Sequence, residues 1–313
     1  MGDKAQIIDR LLQNHVPESQ AEIIADVMVT ADAYGVTTHG TAILDSHIDR
    51  LNRGGYNLAP NFHVIRETAS FAVIDGDNAF GFVSGVYCMK YAVEKAKTSG
   101  IFQVFSRNNN TLGPAFYYAL KAAEQGIIGL VFTNSPAQMA PIGGKEKMLG
   151  TNPFSAVIPV PRKDPIIIDM ATSVVAKSKF KQYKAEGKPL PDGWALDKNG
   201  NPTNDPDEGI QGLIQPMAGF KGYSISMLID IVSGVLSGAA YLNKVGQFYG
   251  SDKCMNVGYY MVAIEPKIVF GEDFYDVISD YVKTLRDSKA VFGEKISLPG
   301  DDRIAYKNKK KKV

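Results

Sequence analysis

The sequence predicts an α/β protein whose central lobe is inserted in an outer lobe made of both chain ends. Three observations carry this expectation. From Phe71 onward, short apolar and β-branched runs alternate with stretches of helical period, the mark of strands layered against helices. At 313 residues the chain exceeds the size that a single core usually fills, so lobes enclosing a cleft are expected. Hydrophobic residues at 45% and charged residues at 21% give the balance of a protein able to bury such cores. The outer lobe is expected at residues 1–70 and 216–313, the central lobe at 71–215.

The elements follow in order. Ile7, Ile8, Leu11 and Leu12 give Ala5 to Leu12 a helical stripe, and Pro17-Glu18-Ser19 opens a helix carrying Ile23, Ile24, Val27 and Met28. Gly35 is placed to stop it. Phe71 to Ile74 reads as a strand and Asp75 to Asn78 as a turn, with Val86, Met89, Val93 and Ala96 lining the helix that follows. Next come a strand at Ile101 to Phe105, a helix near Ala115 to Glu124 and a strand at Ile127 to Phe132. Strands near Ala156 to Val160 and Ile166 to Ile168 precede a helix from Val174 to Tyr183. Gly187 to Gly193 is a turn-rich connection of the kind that borders a mobile cleft, and Trp194 follows it. Beyond a loop, Tyr223 to Leu236 reads as a helix, Val257 to Ile264 as a strand and Phe274 to Leu285 as a helix.

Several function classes lose support. A formal net charge of +1 gives no general electrostatic reason to expect nucleic acid, so a small molecule is the expected partner. Cys88 and Cys254 lie in no Cys-x-x-Cys, which suggests neither a disulfide framework nor a thiolate metal site and favours a reducing cytoplasm. Met1-Gly2-Asp3-Lys4 lacks the apolar core of a signal peptide. The most apolar long segment, Tyr223 to Leu242, is interrupted by Asp230 and small residues, so a buried core helix is expected there and no membrane span. The basic run of Lys307 and Lys309 to Lys312 reads as a solvated terminus.

His39 is the leading candidate for proton transfer. Imidazole titrates nearest neutrality, so it can protonate a carbonyl oxygen as hydride reaches carbon. It stands in Gly35-Val36-Thr37-Thr38-His39-Gly40, where Thr38 offers a hydroxyl to a ring or ligand and Gly40 allows close backbone approach. His15, at a helix end, His47, on a helical segment, and His63, in a short strand, lack such a setting. Asp169 ends the run Ile166 to Ile168, where a carboxylate can face a crevice at the carboxyl end of a sheet. It can bind a ligand, hold an imidazole in one tautomer, or cap the turn through Thr172 and Ser173, and the residues alone leave these readings open.

No Gly-x-Gly-x-x-Gly follows a strand, and Gly76 to Gly81 opens no phosphate loop, so local chemistry alone predicts no dinucleotide. What it offers is a set of glycine- and amide-rich turns at Asn108 to Asn110, Gly143-Gly144, Gly150-Thr151-Asn152-Pro153 and Gly219 to Gly222. Each is a tight loop or a phosphate cradle, with Lys221 able to add charge.

Taken in order, these segments resemble the malate/L-lactate dehydrogenase family. The resemblance runs from Ala31 to about Gly300 through Gly35 to Gly40, Thr133 to Ser135, Pro141 to Gly144, Leu149 to Pro153, Asp169 to Ser173, Pro191 to Ala195 and Gly219 to Gly222. It implies a non-Rossmann lactate/malate dehydrogenase-like fold, a homodimer with sites near the interface, and hydride transfer between NADH or NADPH and a 2-oxoacid or cyclic imine. NAD is the favoured cofactor. On that pattern His39 is the proton donor, helped by Asp169. Ser135, Thr151, Asn152, Asp169, Met170, Ala171, Thr172, Lys221 and Gly300 are the expected cofactor contacts, and Thr38, Arg50 and Thr111 the expected substrate contacts.

Two positions depart from the family. Asn110-Thr111-Leu112-Gly113 stands where many members carry Asn-His-Phe-Gly, and Ile43 stands where many carry an arginine suited to a substrate carboxylate. Arg50 or Arg53 is the expected substitute, if the helix turns it inward. Malate or lactate is the expected substrate, with ureidoglycolate-, diketogulonate- or cyclic-imine-type substrates, or a relative that binds cofactor without turnover, as alternatives.

Overall fold

The computed structural model describes residues 3–310; Met1, Gly2 and the end of the basic run, Lys311 to Val313, lie outside the described residues. The chain opens with helices α1 (Lys4–Gln13), α2 (Glu18–Ala33) and α3 (Leu44–Asn52), then strands β1 (His63–Glu67) and β2 (Phe71–Asp75). Helix α4 (Gly81–Ser99), β3 (Ile101–Asn109), α5 (Ala115–Ala123) and β4 (Ile128–Thr133) continue the alternation expected from the sequence. Strands β5 (Phe154–Ile158) and β6 (Ile166–Met170) lead to α6 (Lys177–Ala185), β7 (Ala195–Leu196), β8 (Pro202–Thr203), α7 (Pro206–Gln211) and β9 (Leu213–Ile214). The chain ends with α8 (Phe220–Ile229), β10 (Val257–Ile264), α9 (Pro266–Val269), α10 (Phe274–Arg286) and α11 (Asp301–Lys310).

A seven-stranded sheet in the order β1-β2-β3-β10-β4-β5-β6 forms the spine, and β8-β7-β9 form a three-stranded sheet apart from it. Strand β10 is antiparallel to both neighbours, with Ala263 opposite Phe102 on β3 and Gly129 on β4. Its residues are buried on both faces, which its unbroken apolar sequence requires of a central strand. This strand comes from the segment expected in the outer lobe. The main core runs from Ile7 to Ile304 and joins the chain ends to the central strands, whereas a separate cluster of Met139, Leu149, Phe180, Leu190, Ala195 and Ile214 packs under the small sheet.

The helix expected from Val174 starts only at Lys177, because Val174 N–H donates to the Gln215 carbonyl and Ser173 bridges Pro216 in extended backbone. The segment expected as a buried core helix, Tyr223 to Leu242, is arranged differently. α8 passes into a π-helical turn at Asp230–Val235, and its small and polar residues Gly222, Ser226, Ser233 and Gly234 face inward. Phe220, Met227, Leu228, Ile231, Val235 and Leu236 lie exposed on the outer side. Small residues let the helix backbone press onto the sheet, and that close seating turns the apolar side chains outward. Among the described residues no helix is long and apolar enough to cross a membrane.

Candidate active site

His39 sits where α2 gives way to α3 through 3₁₀ turns at Thr37–His39 and Thr41–Ile43. Asp32, near the end of α2, holds this corner: its Oδ2 accepts from Thr41 N at 3.1 Å and from Thr41 Oγ1 at 2.6 Å. A Cβ on Gly40 would stand 1.8 Å from Asp32 Oδ1, so glycine is required beside the histidine. Asp32 is a residue of this corner that the sequence does not single out; the only local signal is a carboxylate nine residues before a threonine, too loose to read as a cap. Thr38 is exposed and His39 partly buried. Loss of hydration pushes the His39 imidazole down to about 4, and burial takes His47 down to about 3, so both rings are neutral near pH 7.

Both histidines bind protons more readily in the unfolded chain, where the ordinary value is 6.5, so their contribution is full above that pH and is lost as pH falls toward 4. Melting temperature measured against pH should be flat from pH 7 to 8 and decline between about 6.5 and 4, less steeply in His39→Ala. A rise in melting temperature on acidification would contradict this.

Helix α11 links the His39 corner to Asp169. Tyr306 packs against Gly35, Lys307 donates to the Tyr34 hydroxyl at 2.7 Å, and Arg303 lies over the Phe116 ring at 5.4 Å. From the same helix, Arg303 Nη2 contacts Asp169 Oδ2 at 2.7 Å and the Asp169 carbonyl at 3.1 Å. The Asp169 carboxyl therefore pairs with a guanidinium and hydrogen-bonds no histidine among the described residues. Burial raises its pKa, opposed mainly by Arg303. Nor does it cap the next turn: Thr172 Oγ1 donates to the Thr151 carbonyl and Ser173 Oγ to that of Val175. Through Arg303 the Asp169 carboxylate ties β6 to α11.

Arg50 does not replace the missing carboxylate ligand. It is 1% exposed, and its guanidinium donates to the carbonyls of Gln247, Phe248, Ser251 and Lys253 and to Asn110 Oδ1 at 2.6–3.3 Å. With both terminal nitrogens committed, it clamps the 247–253 loop onto α3. Asn110 is the hub opposite: its Nδ2 donates to Asn78 and Ala79, and its carbonyl accepts from Tyr259 Oη. Thr111, the next residue, is partly exposed.

The expected cofactor residues divide. Asn152 and Thr172 are fully buried and consumed internally, since Asn152 Oδ1 accepts from Ser135 N at 3.1 Å and its Nδ2 donates to Ser226 O at 3.0 Å. Their role is to fasten β5, β6 and α8 together, not to offer side chains to a ligand. Gly300 is buried as well, beside Pro299, whose carbonyl accepts from Ile167 N at 3.0 Å. Ser135, Thr151 and Ala171 are partly exposed, and Met170 and Lys221 exposed, on the rim of this fastening. Among the described residues Lys221 has no acidic partner and the Ser135 hydroxyl donates no hydrogen bond. A free ammonium, a free hydroxyl and an exposed Met170 fit the phosphates, ribose and flat apolar ring of a dinucleotide.

The sequence profile of the malate/L-lactate dehydrogenase family matches residues 4–313. The chain is similar to the malate dehydrogenase of Pyrococcus horikoshii, 41% identical over 292 residues that cover 90% of this chain and 80% of that one. It is similar to the L-sulfolactate dehydrogenase of Methanocaldococcus jannaschii, 37% identical over 311 residues, or 99% and 89% of the respective chains. A solved structure of sulfolactate dehydrogenase from that organism superposes with a TM-score of 0.92 at 36% identity, covering 98% of this chain and 89% of that chain. The non-Rossmann α/β architecture expected from the sequence is the one these proteins share.

Proposed function

Because this chain belongs to the malate/L-lactate dehydrogenase family, we propose that it interconverts a small 2-oxoacid and its 2-hydroxyacid with a nicotinamide cofactor, malate being the favoured substrate and NAD the favoured cofactor. The observation that carries this reading is the His39 corner, an imidazole that is neutral near pH 7 on a turn that Asp32 ties down through Thr41, with Gly40 leaving room for the Asp32 carboxylate. When bound, the cofactor supplies or accepts the hydride. His39 takes the hydroxyl proton as the hydroxyacid is oxidised and returns it to the carbonyl oxygen in reduction. Arg303 and Asp169 fix the strand end on which Met170 and Ala171 meet the cofactor, and Lys221 takes a phosphate. Initial rates with oxaloacetate, pyruvate, sulfopyruvate and a cyclic imino acid, each with NADH and NADPH, test the reading. Turnover of a 2-oxoacid is expected; NADH binding without turnover of any would assign the chain to a cofactor-binding relative that has lost catalysis.

The protein is further proposed to be a cytoplasmic homodimer, with the apolar outer stripe of α8 and its π-helical extension as the shared face. The family resemblance is what implies a homodimer; the apolar strand Val257 to Ile264 lends it no support, since that strand is covered internally. Met227, Leu228, Ile231 and Val235 instead leave an uncovered stripe at helical spacing close to Lys221, which supports a dimer bordering the cofactor side. Leu228→Glu should convert dimer to monomer in light scattering and lower specific activity with it. A fully active monomer in the parent chain would contradict the proposal.

A further inference from the structure

His47 has no part in the scheme above, yet its surroundings leave a hydrogen bond to be made. It is fully buried on α3, ringed by Tyr56, Phe80, Phe82 and Phe248 with centroids 4.9–6.1 Å away. Its Nδ1 lies 2.7 Å from Tyr56 Oη. Among the described residues Tyr56 Oη has no other hydrogen-bond partner, so its proton goes to Nδ1, which leaves the ring proton on Nε2. That Nε2 is buried and has no partner. An unpaired donor walled by aromatic rings is costly unless something else brings the acceptor.

The acceptor's place is bounded on two sides. Phe80 and Phe82 flank Gly81, whose backbone presses on the turn beyond: a Cβ there would meet the Thr111 carbonyl at 1.9 Å and that of Asn110 at 2.8 Å. On the other side, helical side chains lean toward the N-terminus of their helix, so the His47 ring covers the turn that leads back to Ile43 and His39. His39 is close enough that its charge, with that of Arg50, adds to burial in keeping His47 neutral. Arg50 is spent on the 247–253 loop and on Asn110, although its guanidinium stays over the Tyr56 ring at 5.3 Å.

We propose that His47 is a substrate-binding residue: its Nε2–H donates to a carboxylate oxygen of the 2-oxoacid while His39 serves the adjacent carbonyl oxygen. Tyr56 is the positioning residue that fixes the tautomer. The inference rests on the proposed oxoacid activity. It accounts for a carboxylate being received here without an arginine, by a neutral donor with the Arg50 charge behind it.

Steady-state kinetics of oxaloacetate reduction by NADH test this. His47→Phe should raise KM for oxaloacetate about 10-fold or more, with kcat changed less and NADH affinity within about twofold, as expected on losing a hydrogen bond to a charged group. His47→Gln sets an amide N–H near the Nε2 position and should recover most of the loss. An unchanged KM in both variants, or an equal rise in both, overturns the proposal while leaving the oxoacid activity intact; a wild-type protein inert toward every 2-oxoacid overturns both. If His47→Phe fails to fold, ¹⁵N NMR of wild-type protein holding NADH decides: hydroxymalonate should move the His47 Nε2–H signal, and no movement under saturating hydroxymalonate overturns the assignment.

Discussion

Replacing His39 with alanine should lower turnover of the 2-oxoacid by roughly 100-fold or more, the scale on which general acids act. The change should fall on kcat and on kcat/KM together, because proton transfer is made only in the transition state, and NADH affinity should stay near that of the parent. Packing will not confuse the result. His39 is partly exposed in a 3₁₀ turn, and the corner is held by Asp32 and the Thr41 backbone, which the substitution leaves in place. Unchanged turnover would remove His39 from the mechanism. A loss of NADH binding instead would mean that the corner serves the cofactor.

The second large effect is on stability. Arg50→Met should cost at least about 3 kcal/mol, because it strands the carbonyls of Gln247, Phe248, Ser251 and Lys253 and Asn110 Oδ1 without their donor. At a few degrees per kcal/mol, melting temperature should fall by roughly 6–12 °C. Arg50→Lys should rescue little, since a single ammonium cannot span acceptors that a planar fork reaches from both terminal nitrogens. If Arg50 were instead the ligand of the substrate carboxylate, Arg50→Lys would raise KM and leave melting temperature near that of the parent. Thermal denaturation of both variants beside their KM values separates the roles.

Much of this was legible in the sequence because it is local. The strand at Val257 to Ile264 and the helix starting at Phe274 declare themselves by apolar runs and by helical period, and the structure starts both where the pattern does. The insertion of β10 between β3 and β4 was not legible, because pairing partners more than a hundred residues apart leave no trace in local pattern. The inward and outward faces of α8 were misread for a related reason. Hydrophobicity normally marks the inside, yet here Ser226, Ser233 and Gly234 seat the helix on the sheet and the apolar residues turn out.

The expected site residues divide by what their side chains bond to. Arg50, Asn152 and Thr172 have the chemistry of ligand contacts, and each spends that chemistry on holding backbone in place. Asp169 has the place of a catalytic carboxylate but meets Arg303, which follows it by more than a hundred residues. Composition gives a polar group's capacity to bond, and only the folded chain shows what it bonds to. His47 is the reverse case: set aside because it lay on a helical segment, it is buried with an unused nitrogen.

On the proposed reading, hydride passes from the nicotinamide to C2 of a 2-oxoacid at the His39 corner. Reduction of oxaloacetate by NADH carrying deuterium at both C4 positions of the nicotinamide ring, followed by mass spectrometry of the product, is the decisive experiment. The account predicts a 2-hydroxyacid with one deuterium, bonded to C2, formed by the wild-type chain and slowed by roughly 100-fold or more in His39→Ala. Saturating, tightly bound NADH with no deuterium in any hydroxyacid product, across each of the oxoacids named above, would contradict it.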